Sequence, residues 1–323
     1  MYDTIRSRGT PVLPPDGVTD LWACLGRVRH HVTGAPLGRD ALVPEIGALM
    51  MAGFDTSSHS VAWVLFALAA HPEVQRRCRR ELAARGLLKE RDGSPPRDPS
   101  LEDLSQLPYL NAVIDETMRM FPVAATASVR EVTQPTRVGD YLIPPGVIVW
   151  PMLYALHNST HNWVRPDEFR PERWLAEPEE GGGGSHDEAG GNGGCGDRSG
   201  ATLRPTSQSL SDSADAGSCK GNGSGAAPAP TAGVSNGGKR FMPFSDGMKS
   251  CMGQALGLME VRTMLVVLLG RYRVDLDPSG GGPEAVQRSM IMSLTLKIKG
   301  GLRLVFTPLR GSEDEDGASP GNA

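Results

Sequence analysis

The chain has 323 residues, enough for one large domain or two average ones, and its net charge of −4 argues against a broad basic face for nucleic acid. We therefore expect no nucleic-acid partner. Glycine is unevenly distributed, because 17 of the 40 glycines lie between Gly181 and Gly238, a stretch without aromatic residues. Such an apolar-poor tract cannot offset its own ordering entropy, so the composition predicts a disordered insertion in a folded remainder.

The five cysteines are odd in number and widely spaced, which fits neither a disulfide framework nor a Cys-x-x-Cys zinc site. The default expectation is a reducing compartment. The first 20 residues lack the apolar run of a signal peptide. The longest apolar run, Val61 to Ala70, is far shorter than the ~18 residues that a membrane span needs. The sequence thus predicts no membrane span in this chain.

Helical patterns dominate the first half. A short amphipathic helix is predicted from Leu21 to His31, followed by a long, mostly apolar helix from Asp40 to Ala70. His71-Pro72 ends that helix, because the residue before a proline disfavours helical geometry. Two further helices are predicted from Glu73 to about Ala84, with a basic solvated face, and from Pro108 to Met120.

After Val123 the pattern changes to short β-type runs separated by turn residues, which predicts small hairpins up to Trp150. A short helix is expected at 151–157, a final amphipathic helix from about Met252 to Arg271, and short strands near 293–299 and 302–307. The predicted class is therefore mainly α with small β-hairpins. The expected segments are 1–37 (a remnant before the long helix), 38–176, 177–238 (the disordered insertion), 239–310 and 311–323 (a disordered acidic tail).

One loop carries the clearest chemical signal, the run Phe244-Ser-Asp-Gly247-Met-Lys249-Ser-Cys251-Met-Gly253. A cysteine just before a helix N-terminus faces the helix dipole and unpaired N–H groups, which favour the thiolate, a good metal ligand. The alternative is a buried structural cysteine near a turn, the commoner role of such a residue.

The spacing of this loop resembles the haem-binding loop of the cytochrome P-450 superfamily of haem-thiolate monooxygenases. The resemblance implies that Cys251 is the proximal iron ligand, which favours O–O cleavage. The family usually has arginine at the position of Lys249, where it holds a haem propionate. Lysine neutralises this charge but lacks the planar bidentate fork of arginine, so weaker haem retention is expected.

A second motif is Glu116-Thr-Met-Arg119 on the third long helix, where residues i and i+3 share a face. In isolation this motif is an ordinary exposed ion pair. Together with the run from Phe169 to Trp174, however, it resembles a conserved feature of the same family, in which Trp174 replaces the usual phenylalanine. The resemblance implies a buried structural network of Glu116, Arg119 and Arg173.

The third motif, Ala52-Gly53-Phe54-Asp55-Thr56, lies within the long helix, where a glycine costs ~1 kcal/mol of helix propensity. Simple packing or a benign kink is one explanation, with Asp55 and Thr56 bonding back to the preceding turn. The motif also resembles the distal helix of the family. That resemblance implies that Ala52 and Gly53 line a widening for dioxygen and that Asp55 and Thr56 deliver protons to it.

Taken together, the motifs imply an N-terminally incomplete cytochrome P-450 fold that binds haem b (iron protoporphyrin IX). Arg130 resembles the second propionate partner of the family. The implied reaction is the monooxygenation of a small lipophilic substrate by O2, with electrons from NADPH through a flavoprotein reductase that docks near Cys251. The resemblance implies a parent type in the endoplasmic reticulum membrane, or in a plastid, held by an N-terminal anchor that we do not expect within this chain.

Two alternatives stay open. Family members carry an N-terminal half before the distal helix, so a partial product or a chain completed by a companion segment is expected. One alternative is therefore an inactive haem-binding fragment whose glycine-rich insertion mediates interactions. The other is a haem-thiolate isomerase or dehydratase that consumes no reductant, which the intact Thr56 disfavours.

Overall fold

The computed structural model of the chain describes residues 27–30, 32–89, 94–175 and 240–309. These belong to one of the two units into which the chain divides, Met1–Ala176 with Gly237–Ala323. The predicted insertion 177–238 and the tail 311–323 lie outside the described residues. Most of the predicted helix from Leu21 to His31 also lies outside them, and its described part is not a continuous helix, since Arg29 forms a β-bridge with Pro36.

The other three predicted helices of the first half are confirmed. They are α1 (Arg39–Ala70), α2 (Pro72–Ala83) and α4 (Pro108–Met120), with the short α3 (Leu101–Ser105) before α4. Proline occupies the first position of α2 and of α4, where a missing N–H costs nothing. A capping box between Ser100 and Asp103 starts α3.

Small antiparallel pairs follow, as the sequence predicts. They are β1 (Arg130–Glu131) with β4 (Ile148–Val149), and β2 (Thr136–Val138) with β3 (Tyr141–Ile143). Helix α5 (Leu153–Asn158) comes next, and a 3-10 turn covers Pro171–Trp174. The mainly α class with small hairpins is therefore confirmed.

The C-terminal part begins with a 3-10 turn at Gly247–Lys249 and the predicted final helix, α6 (Gln254–Leu269). Two antiparallel pairs follow this helix, with a 3-10 turn (Pro278–Gly280) and α7 between their strands. The elements are β5 (Tyr272–Leu276), α7 (Gly282–Arg288), β6 (Met290–Met292), β7 (Leu296–Ile298) and β8 (Leu304–Pro308). β5 pairs with β8 and β6 with β7. In this C-terminal part the sequence predicted only the strands that correspond to β7 and β8.

The main core lies where α1, α2, α4 and α6 pack together, around residues such as Val64, Leu110 and Leu265. A second cluster surrounds Trp63, which stacks on Phe121.

The two halves of α1 differ, because buried residues concentrate in its C-terminal half. The helices α1 and α6 also contact each other, which brings the two candidate motifs on these helices to one region. Within the described ranges no helix has the length and apolarity to cross a membrane.

Candidate functional site

The Cys251 loop is a compact turn that places an exposed thiol at the start of α6. The N–H of Cys251 donates to the carbonyl of Phe244 (2.9 Å), and the N–H of Ser250 donates to the carbonyl of Gly247 (3.0 Å). Gly247 has a φ of 72°, a left-handed conformation that glycine adopts without strain. The ring of Phe244 packs on the main core. The loop is thus anchored at Phe244 while its cysteine faces outward.

The surroundings of the thiol are open and apolar. The side chain of Met252 is 91% exposed and that of Leu256 is 49% exposed. An added Cβ at Gly253 would lie 3.8 Å from Sγ of Cys251, an ordinary van der Waals contact, so residue 253 borders the thiol directly. Lys249 is exposed in the same loop. An exposed thiol, exposed apolar side chains and a cation therefore occur together at one end of α6.

The predicted distal motif lies on the less buried half of α1. Ala52, Gly53 and Thr56 are exposed, and Oγ1 of Thr56 donates to the carbonyl of Ala52 (2.7 Å), the back-bonding expected from the sequence. Phe54 in the same motif is 77% exposed. This part of α1 presents polar and apolar groups on its surface.

Asp55 belongs to a small polar cluster that the sequence did not reveal. Its Oδ2 accepts a 2.6 Å hydrogen bond from the hydroxyl of Thr295, which precedes β7 and is 3% exposed. Nδ1 of His59 lies 3.5 Å from Oδ1 of Asp55 and 2.7 Å from the Asp55 carbonyl oxygen. The carboxyl group of Asp55 therefore contacts Thr295, which is far along the chain, and His59, which is one helical turn later.

Helices α1 and α6 are joined directly beside these motifs. The hydroxyl of Ser57, one residue after Thr56, donates to Oε2 of Glu260 (2.8 Å). An added Cβ at Gly257 would lie 3.9 Å from Oγ of Ser57, so the helices are close at this crossing. The structure thus brings the helix of Asp55 and Thr56 into contact with the helix that follows Cys251.

The predicted Glu116 network is present and fully buried at its centre. Nε and Nη2 of Arg119 donate to the two carboxylate oxygens of Glu116 (2.9 and 3.0 Å), and both side chains are 0% exposed. Nε of Arg173 donates to Oε1 of Glu116 (2.9 Å). Arg119 also donates to the carbonyls of His157 (3.0 Å) and Pro166 (2.8 Å). Because nearly every polar atom has a partner, the network ties α4 to the segment before Trp174.

Two further donors complete this network. The indole Nε1 of Trp174 donates to Oε2 of Glu116 (2.9 Å), and the N–H of Arg170 donates to Oε1 (2.9 Å). The sequence had marked Trp174 only as a replacement for phenylalanine. Its indole N–H, which phenylalanine lacks, was the signal that it could bond to a buried acid.

A second pair of charges lies between α4 and α6. Burial raises the pKa of Asp115 to about 6, and the positive charge of Arg262 on α6 acts in the opposite direction. Burial also lowers the pKa of Arg262. Burial thus disfavours the charged form of both side chains, and each charge is stabilised mainly by the opposite charge of the other.

Arg130 lies in β1, and its guanidinium donates to the carbonyls of Ser128 (2.9 Å) and Val129 (3.3 Å) in its own segment. Its hydrogen bonds therefore do not connect it to the Cys251 loop. The residues present nevertheless fit a haem group, because the exposed Cys251 thiol, the Lys249 cation in the same loop and exposed apolar side chains on α1 and α6 supply the donor, a positive charge and the apolar surfaces it needs.

The family model described as Cytochrome P450 matches residues 19–188 and 232–302. Because this match covers more than half of the sequence, the chain belongs to the cytochrome P450 family.

Individual relatives agree with this assignment. Cytochrome P450 4F3 of the rat (Rattus norvegicus) is 28% identical over 277 residues, an alignment that covers 85% of this chain and 40% of the relative. The human (Homo sapiens) 25-hydroxyvitamin D-1 alpha hydroxylase, mitochondrial, is 27% identical over 263 residues, covering 81% and 40%. The chain thus spans about two fifths of the length of these relatives.

A solved structure of a zebra fish cytochrome P450 with progesterone shares the fold, with a TM-score of 0.63 and 21% identity. The similarity covers 95% of this chain and 55% of that chain. At this identity the comparison shows the fold alone.

Proposed function

We propose that the chain is the haem-thiolate part of a monooxygenase that inserts one atom of O2 into a small lipophilic substrate. The overall reaction is RH + O2 + NADPH + H⁺ → ROH + NADP⁺ + H2O, with electrons delivered by a flavoprotein reductase. One observation carries the proposal: an exposed Cys251 thiol in an anchored turn at the start of α6. The hydroxylase names among the relatives support the reaction class.

In this proposal Cys251 holds the iron of haem b, and Lys249 and Arg130 neutralise its propionates. When bound, the haem supplies the site at which O2 is activated. Phe54 and Leu256 offer apolar contact surface from the two helices. The Glu116 network keeps the segment that precedes the loop in a fixed position relative to α4.

The proposed role of Asp55 and Thr56 is proton delivery. Asp55 is half-buried and held by Thr295 and His59, which fixes the orientation of its carboxyl group. The hydroxyl of Thr56 donates to the Ala52 carbonyl and is exposed, so rotation about its side chain would let it turn to a ligand on the exposed side of α1. A fixed acid next to a rotatable hydroxyl is a suitable arrangement for moving a proton.

The first experiment is the absorption spectrum of the reduced, carbon monoxide-bound chain after reconstitution with haem. We expect a Soret band shifted to the red of that of histidine-ligated haem, which is lost in Cys251→Ala and retained in the neighbouring control Ser250→Ala. A spectrum that is the same in both variants would rule out Cys251 as the ligand.

Measurements of NADPH and O2 consumption distinguish the remaining candidate functions. With reductase from the endoplasmic reticulum membrane, a monooxygenase consumes NADPH and O2 when substrate is added. An isomerase or dehydratase converts its substrate without this consumption. A second candidate is a haem-binding chain without turnover. Thiolate-ligated haem without NADPH consumption would support that candidate.

A further inference from the structure

We propose that His157 is a positioning residue that holds the Cys251 loop in place and connects it to the buried Glu116 network. The imidazole does so by accepting a hydrogen bond from the main chain at Met242, where the loop begins. The inference rests on the proposed function in one respect: the loop that His157 holds is the one assigned to the iron ligand.

The contact is 3.0 Å long, its acceptor is buried and its donor residue is half-buried. The N–H of Met242 donates to Nε2 of His157 (3.0 Å), and His157 is 0% exposed. The ring of Phe241 lies 5.3 Å from that of His157 and covers it from one side. Losing this bond leaves a half-buried N–H without its acceptor, which costs free energy to the extent that water does not replace it.

The imidazole must be neutral to do this. A main-chain N–H only donates, so Nε2 carries the lone pair and the proton resides on Nδ1. Nδ1 is buried and meets no acceptor at ordinary hydrogen-bond geometry, but the Met118 main chain is close enough to favour a proton on the ring. The better-formed contact of the ring is therefore the one that Nε2 accepts from Met242. Burial also lowers the pKa of His157 to about 4, so the neutral form predominates at physiological pH.

Main-chain bonds extend the connection in both directions. On one side, Nη1 of Arg119 donates to the carbonyl of His157 (3.0 Å). On the other side, the carbonyl of Met242 accepts from the N–H of Ser245 (3.0 Å), and the adjacent Phe244 carbonyl accepts from the N–H of Cys251 (2.9 Å). His157 therefore lies between the fully buried arginine and the turn that presents the thiol.

The test compares His157→Gln with His157→Met in the haem-free full chain. The two replacements have side chains of the same length, but only glutamine offers an oxygen acceptor near the position of Nε2. Main-chain hydrogen exchange is measured at Met242 and Cys251, with Ile114 in the core of α4 as the internal reference. The carbonyl of residue 157 stays available to Arg119 in both variants.

We expect the Met242 amide to exchange at least tenfold faster in His157→Met than in the wild type, with Cys251 also faster and Ile114 unchanged. In His157→Gln the exchange at Met242 should return most of the way to the wild-type rate. Equal acceleration at Met242 in both variants, or faster exchange throughout both chains including Ile114, contradicts the proposal, because glutamine retains an acceptor.

Haem binding is then measured separately, so that the two proposals fail independently. If His157→Met alone loosens the loop while Cys251→Ala leaves the haem spectrum unchanged, the positioning role stands and the assignment of the iron ligand fails. If the spectrum depends on Cys251 but exchange at Met242 is the same in all three chains, the ligand stands and the role of His157 fails.

Discussion

The hydroxyl of Thr295 donates a 2.6 Å hydrogen bond to Oδ2 of Asp55, although the two residues are 240 positions apart. This bond attaches the proposed proton-delivery acid to the turn before β7. Thr295→Val should lower the free energy of unfolding by about 1 kcal/mol, because a partly buried carboxylate loses a donor. Thr295→Ser keeps the hydroxyl and should retain most of the stability. Urea unfolding of both variants measures the difference.

A double-mutant cycle makes this prediction specific. In the Asp55→Asn background, Thr295→Val should cost markedly less than in the wild type, since the charged acceptor is already gone. Additive effects of the two changes would show that the bond contributes nothing to stability.

Lys249 is expected to limit haem retention. Lys249→Arg should slow the transfer of haem to a scavenging apoprotein severalfold, because arginine binds a propionate through two parallel hydrogen bonds. Lys249→Met removes the charge at similar length and should accelerate the transfer. The transfer rate is followed by absorbance, and equal rates for Lys249→Met and the wild type would exclude this residue from propionate binding.

Trp174→Phe should lower the free energy of unfolding by about 1–2 kcal/mol, because it removes one donor from the fully buried Glu116 carboxylate. Trp163→Phe is the matched control, since the indole of Trp163 donates to a main-chain carbonyl at Leu156 rather than to the acid. Chemical denaturation of both variants checks the prediction. A loss no larger in Trp174→Phe than in the control would contradict it.

The Asp115 carboxyl predicts a pH-dependent difference between variants. Its pKa is about 6 in the folded chain and 3.8 in an ordinary environment, so between these values the folded state holds a proton that the unfolded state has released. Stability therefore falls as the pH rises through this window. The free energy of unfolding of Asp115→Asn relative to the wild type should increase by about 2–3 kcal/mol from pH 4 to pH 7. Urea unfolding at several pH values measures this, and a constant difference would contradict it.

His157 predicts a dependence of the opposite sign. Burial, together with the positive charge of Arg119, lowers its pKa from 6.5 to about 4, so below pH 6.5 only the unfolded state takes up this proton. Stability should fall as the pH decreases from 6.5 towards 4, by about 1.4 kcal/mol per pH unit at most. The free energy of unfolding of His157→Gln should lack this component. Parallel decreases in the variant and the wild type would show that other groups account for the acid sensitivity.

Much of the helical fold follows from local sequence, because prolines mark where helices start and stop. His71-Pro72 separates α1 from α2, and Pro108 opens α4. Strands β5 and β6 and helix α7 were not predicted. β5 depends on pairing with β8, some 30 residues later, and no local pattern identifies such a partner.

The candidate site also could be predicted only where its residues are close together in the sequence. The motifs around Asp55, Glu116 and Cys251 were recognisable because their residues are close in sequence. The contacts of Thr295 with Asp55 and of His157 with Met242 were not, since each joins distant segments through one side chain. Periodicity identifies a buried face, but it does not show which buried polar group meets which partner.

The hydrogen bond between Ser57 and Glu260 affects how α1 packs against α6. It joins α1 to α6 one residue beyond Thr56 and nine residues beyond Cys251, so this crossing fixes how closely the two helices approach each other. A methyl group added at Gly257 would lie 3.9 Å from Oγ of Ser57, an ordinary van der Waals contact, so alanine would fit there without moving α1. The separation of the two helices therefore depends on one hydrogen bond and one small residue, neither of which belongs to the three sequence motifs.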